Sequence, residues 1–149
     1  MCVKIRIIGI GNPLCGDDGV GVAVAERLKS RLLPPGVEVI DGGLGGLSLI
    51  DYFEQMQQVI LVDAVDFDAR PGEIALFHMA GAEYKQLPDL QQLHSGIAPL
   101  LALVDRLQLC PRVDLVAVQP LDTTVGKPLS PALRSCLERV ETTIHRLIA

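Results

Sequence analysis

Four consecutive apolar residues, Val59-Ile60-Leu61-Val62, run without interruption into Asp63. A strand with one wet face alternates apolar and polar side chains. An unbroken β-branched run instead marks a strand covered on both faces, as in a parallel sheet. Parallel neighbours are joined by crossover connections, most often helical. A chain built around this run must therefore supply helices for both sides of a sheet.

The rest of the chain supplies them. Residues 3–10 are mostly apolar with Lys4 and Arg6 alternating, and they run into Gly9-Ile10-Gly11-Asn12-Pro13, a strand closed by a turn. Over residues 20–32, Val20, Val24, Leu28 and Leu32 share one helical face, widened by Val22 and Ala23. Asp17 is assigned as the cap of this helix, which stops before Pro34-Pro35-Gly36. Residues 37–40 form a second strand closed by Asp41-Gly42-Gly43, and Leu47, Ile50, Phe53 and Met56 have helical spacing. After the buried strand, residues 66–72 read as a polar turn, 73–79 as a strand nearer an edge and 80–95 as a loop. Pro99 suits the first turn of a helix to about Leu107, and residues 113–118 are a last strand ended by Gln119-Pro120. Ser130-Pro131 pairs a cap with a first-turn proline and opens a helix with Leu133, Leu137, Val140, Ile144 and Leu147 on one face. The order βαβαββαβα predicts one α/β domain over residues 1–149, a three-layer sandwich with a mostly parallel sheet and helices on both faces.

Composition narrows the function. At 149 residues the chain is long enough for one core, and its 49% hydrophobic content excludes disorder. Mean hydropathy is +0.37, yet no apolar run approaches the roughly 18 residues of a spanning helix, so no membrane role is expected. The net charge is −5, the basic residues are scattered, and only Tyr52, Tyr84 and three Phe could stack on bases. Nucleic acid is not an expected partner. The amino terminus lacks the pattern of a signal peptide, and Cys2, Cys15, Cys110 and Cys136 lack zinc or redox spacing. A cytoplasmic location with free thiols is expected.

Ligands of open α/β sheets bind beyond the carboxyl ends of the strands, where strand order reverses. Asp18 follows the first strand by one loop, and Asp63 ends the most apolar strand. With a 2-1-3 strand order, the two would face one crevice. A carboxylate at such an end either caps the next turn or serves as a metal ligand or acid–base group. Among the histidines, His145 reads as solvated and His78 as structural in its edge strand. His94 lies in a loop just before a helix, where site residues concentrate. Two carboxylates and one imidazole suit divalent nickel, zinc, manganese or iron, with positions left for water or a partner's donors. Cys15 reads as a turn or packing residue. The Gly9–Gly11 turn is a poor dinucleotide fingerprint: Leu14 takes the third glycine position, and Asp17-Asp18 would meet a pyrophosphate with like charge. No G-x-S-x-G elbow or phosphate-loop lysine is present.

The run from Gly9 to Gly21 resembles the opening signature G-x-G-N-x-L-x-x-D-D/E-G-x-G of the nickel–iron hydrogenase maturation endopeptidases. Asp41-Gly42-Gly43, Val62-Asp63-Ala64, Pro71-Gly72-Glu73 and Val118-Gln119-Pro120 resemble later segments of that family in order, with Ala117 where the family has glycine. The resemblance covers essentially the whole chain. It implies a twisted five-stranded sheet with one antiparallel edge strand, for which residues 73–79 are the candidate. It implies an endopeptidase, grouped with the aspartic endopeptidases, that removes the C-terminal extension of a hydrogenase large-subunit precursor after nickel insertion. Carried over by motif, the metal-contacting residues are Asp18, Asp63 and His94, with Asp18 and Asp63 also catalytic. The precursor would present the nickel, and zinc or cadmium could take the same donors in vitro. The residues around His94 depart from the family's commoner spacing, and His78 is the nearby substitute. Two other readings fit part of the pattern: a nucleotide-binding domain of the same architecture, and a nickel-handling assembly protein without catalysis.

Overall fold

A computed structural model describes residues 2–79 and 97–149 of the chain. Among these are five strands, β1 (Ile5–Gly9), β2 (Val37–Asp41), β3 (Gln58–Ala64), β4 (Ile74–His78) and β5 (Val113–Val118). The α-helices are α1 (Val20–Lys29), α2 (Ile97–Leu107) and α3 (Pro131–Ile148). The strands form one sheet in the order β2-β1-β3-β5-β4. Strands β2, β1, β3 and β5 run parallel, and β4 pairs antiparallel with β5 at the edge. The expected mixed sheet with an antiparallel edge is therefore present, and the expected strand at 73–79 is that edge.

The unbroken apolar run takes the sheet centre, where all seven residues of β3 are buried. Pleating sends alternate side chains to opposite faces. On one face Ile8, Val59, Leu61 and Leu115 pack with Ile97, Leu100 and Val104 of α2 and with Leu49 and Phe53. On the other, Ile7, Ile60, Val62 and Val116 pack with Val20, Val24 and Leu28 of α1 and with Leu133, Val140 and Ile144 of α3. Each such buried aliphatic side chain contributes about 1.5–3 kcal/mol. Charge also joins α3 to α1 and the residues just after it: Glu141 accepts from Arg27 of α1 and, at 3.1 Å, from Arg31. No helix among the described residues is long and apolar enough to cross a membrane.

Two elements differ from the sequence reading. Helix α1 ends at Lys29, and Leu32 is fully exposed. The Ser30 hydroxyl donates to the Arg27 carbonyl at 2.7 Å, closing the last turn early. Residues Leu47–Phe53 form a 3₁₀ helix rather than an α-helix. It lies between Gly45-Gly46 and Gln55, all with positive φ, which leaves too short a segment for stable α nucleation. The expected loop at 80–95 lies outside the described residues.

Candidate active site

The carboxyl ends of β1 and β3 lie side by side. Gly9 is in register with Val62, and the ladder extends one step further, with the Ile10 N–H donating to the Val62 carbonyl at 2.9 Å. The 2-1-3 order, the condition set for a shared crevice, is present at the sheet centre. Beyond Ile10 the chain turns sharply. The Cys15 N–H donates to the Asn12 carbonyl at 3.0 Å, and the Asp18 N–H to the Cys15 carbonyl at 3.1 Å. A 3₁₀ turn over Gly16–Gly19 then leads into α1. The Asp18 carboxylate closes the turn by accepting the Asn12 N–H at 2.9 Å.

Two glycines make this approach possible. Gly11 has φ +145°, and a Cβ there would lie 1.9 Å from the Asp18 carbonyl oxygen. A Cβ on Gly21 would lie 2.3 Å from the carbonyl oxygens of both Ile10 and Val62. The first turn of α1 thus rests directly on the ends of both strands. The glycines serve the tight turn and close approach that the sequence suggested.

Asp18 lines a cleft of about 320 Å³ together with Ala64, Asp66, Gln119, Pro120, Leu121 and Thr123. Asp63 adjoins this cleft through Ala64 but is itself fully buried, in register with Ala117. It shares the parity of Val59 and Leu61, which belongs to the α2 side of the sheet. His94 lies outside the described residues. Among the described residues, no three His, Cys, Asp or Glu side chains form a group able to hold a metal ion.

The cleft is negative. The Asp68 N–H and the Gln119 side chain hold the Asp66 carboxyl below the ordinary carboxylate range. Among the described lining residues there is no Lys, Arg or His. Gln119 orders this wall. Its carbonyl oxygen accepts the Phe67 and Ala69 N–H groups at 2.9 and 3.2 Å, and its amide donates to Asp66 at 3.1 Å. The sequence reading gave Asp66 and Gln119 no role at the site. The signal available was their position, each just beyond a strand end.

Asp17 corrects another expectation. The residue capping α1 is Gly19, with no side-chain cap bond. Asp17 is fully buried and reaches across the fold instead. Its carboxylate accepts the N–H groups of Leu121, Asp122 and Ser130 at 2.9, 3.0 and 2.6 Å, and the Ser130 hydroxyl at 2.8 Å. Burial opposes its charge, but the three N–H groups and the hydroxyl outweigh burial and hold its carboxyl below the ordinary range. Ser130 occupies the cap position of α3 as expected, yet makes no side-chain bond to that helix.

His78 lies at the other end of the sheet, in register with Asp114 at the amino end of β5. That agrees with a structural histidine. His145 is exposed, and its Nδ1 lies 2.9 Å from the Glu141 carbonyl oxygen. All four cysteines are free thiols, with Cys136 buried and Cys15 half-buried.

A sequence profile described as hydrogenase maturation protease matches residues 22–147. The chain is 34% identical over 135 residues to the hydrogenase expression/formation protein HupD of Bradyrhizobium diazoefficiens, covering 88% of this chain and 70% of that protein. Its structure is similar to that of the hydrogenase maturating endopeptidase HybD of Escherichia coli, with TM-score 0.82, 26% identity, and coverage of 95% of this chain and 89% of the other. It is also similar to the [NiFe] hydrogenase maturation protease HycI of Thermococcus kodakarensis, with TM-score 0.78, 28% identity, and coverage of 95% and 90%. With the profile matching most of the chain and a relative 34% identical over 88% of it, the chain belongs to the hydrogenase maturation protease family, a family of peptidases.

Proposed function

We propose that this protein is an endopeptidase that removes the C-terminal extension of a nickel–iron hydrogenase large-subunit precursor once nickel has been inserted. The observation that carries this reading is the placement of Asp18 and Asp63 beyond and at the ends of two adjacent parallel strands, with Asp18 lining a cleft that has acidic but no basic residues among its described lining. A negative mouth at the sheet centre favours a cationic centre in the substrate.

In this reading the precursor presents its nickel to Asp18, Asp63 and His94, a donor set of two carboxylates and one imidazole that suits the ion. Zinc or cadmium can take the same donors in vitro. Nickel held beside the scissile peptide would polarise its carbonyl or acidify a bound water. A carboxylate not engaged in coordination serves as general base, which is the sense in which the enzyme belongs with aspartic endopeptidases. The four free thiols suit a reducing cytoplasm.

The test is incubation of the purified protein with precursor, loaded with nickel or nickel-free, read by intact mass. The reading expects a shortened product from the loaded precursor alone. Equal cleavage of both forms removes the nickel requirement. Binding of loaded precursor without any shortened product would point instead to an assembly protein that handles nickel without catalysis.

A further inference from the structure

Asp17 takes no part in the chemistry proposed above, yet its carboxylate collects four hydrogen bonds from residues 104 to 113 positions further along the chain. All four come from the connection between β5 and α3, residues 119–130, which contains no helix or strand. Three backbone bonds tie the same segments together. The Asp17 N–H donates to the Asp122 carbonyl at 2.8 Å, the Gly16 N–H to the Lys127 carbonyl at 3.0 Å, and the Gly126 N–H to the Leu14 carbonyl at 2.7 Å.

The anchored segment borders the site. Leu121 and Thr123 line the cleft with Asp18, and Leu121 is 63% exposed. The anchor itself is chemically selective. A carboxylate is purely an acceptor, and here it meets three N–H donors and one O–H donor. The Ser130 hydroxyl, placed where it could cap α3, is turned to this anchor instead.

We propose that Asp17 is a positioning residue for the peptidase reaction: it holds the connection between β5 and α3 as a preformed wall of the Asp18 cleft, against which the substrate chain is seated. This rests on the reading of that cleft as the active site. A connection without this anchor would have to be ordered by the substrate on binding, and that entropy would be lost from affinity.

The test compares wild type with Asp17→Asn and Ser130→Ala, by amide hydrogen exchange, by steady-state cleavage of nickel-loaded precursor, and by calorimetric binding of the same precursor. In Asp17→Asn, exchange at Leu121, Asp122 and Ser130 should accelerate by roughly tenfold or more while β3 and β5 amides stay protected. KM and Kd for the precursor should rise roughly tenfold, with kcat changed about twofold or less. Ser130→Ala, which retains the carboxylate, should move the same quantities in the same direction by less, and it carries the test if Asp17→Asn does not fold. Faster exchange with unchanged KM and Kd overturns the proposal, as does a loss fully accounted for by a smaller folded fraction. Precursor that binds wild type tightly and Asp17→Asn weakly, but is never cleaved, supports the wall and rejects the peptidase. Precursor that wild type neither binds nor cleaves overturns both.

Discussion

His78 and Asp114 face each other across the antiparallel edge of the sheet, with His78 Nδ1 2.5 Å from Asp114 Oδ1. Asp114 is fully buried and also accepts from Gln58 Nε2 at 2.8 Å and Arg112 Nε at 3.0 Å. Asp63 is level with Ala117, three residues further along β5. Three strand residues place the two levels about 10 Å apart. His78→Ala should therefore leave precursor processing and nickel affinity unchanged. It should lower stability by about 0.5–1 kcal/mol, because the His78 side chain is half exposed and Asp114 keeps two partners. His94→Ala should weaken nickel binding about tenfold or more. Calorimetry with nickel and urea denaturation of both variants check this, and the reverse pattern would move the imidazole role to His78.

Asp18→Asn and Asp63→Asn keep side-chain volume while removing charge. Each should reduce processing by roughly a hundredfold or more, with the far-ultraviolet circular dichroism of wild type retained. The readout is intact mass of the precursor over time. Ordinary cleavage by either variant would remove that carboxylate from the mechanism.

Gly21→Ala tests how α1 meets the sheet. The added methyl would lie 2.3 Å from two backbone carbonyl oxygens, and backbone cannot swing aside as a side-chain tip can. A loss of about 1–3 kcal/mol is expected from overpacking. A urea midpoint equal to that of wild type would show that α1 does not press on the strand ends this closely.

Glu141 makes stability depend on pH. Burial raises its carboxyl, but Arg27 and Arg31 outweigh burial and hold it below its ordinary value of 4.5. A carboxyl lowered by folding stabilises the protein above that ordinary value, and the contribution is lost as pH falls through the folded value. Glu141→Gln should be about 1–2 kcal/mol less stable than wild type at pH 7, discounted because both arginines are partly exposed. The gap should close below pH 4.5. A gap that persists undiminished at pH 3 would assign the loss to packing rather than charge.

Much of the fold could be read along the chain because burial leaves local periodicity. The run Val59-Ile60-Leu61-Val62 predicted a strand covered on both faces, and β3 is that strand. The last strand, residues 113–118, and the Ser130-Pro131 helix start also match the structure. The 47–56 segment misled because its spacing fits either helix type, and flanking backbone with positive φ decided the tighter one. The places of Asp18 after β1 and of Asp63 near the end of β3 were legible from the strand pattern. Asp66 and Gln119 were not, since nothing local shows that Gln119 reaches back to the 66–69 turn.

Local spacing along the chain was enough to place the five strands and most of the helices, the faces they bury, and the main turns. These follow from short-range spacing and from residues such as Gly11 whose backbone needs are local. Long-range packing, by contrast, sets Asp17 on the β5–α3 connection instead of at the start of α1, and turns the Ser130 hydroxyl to Asp17 instead of to its own helix. A buried carboxylate must find donors wherever packing places them. Here the nearest set arrives more than a hundred residues later, through a strand order that no local pattern encodes.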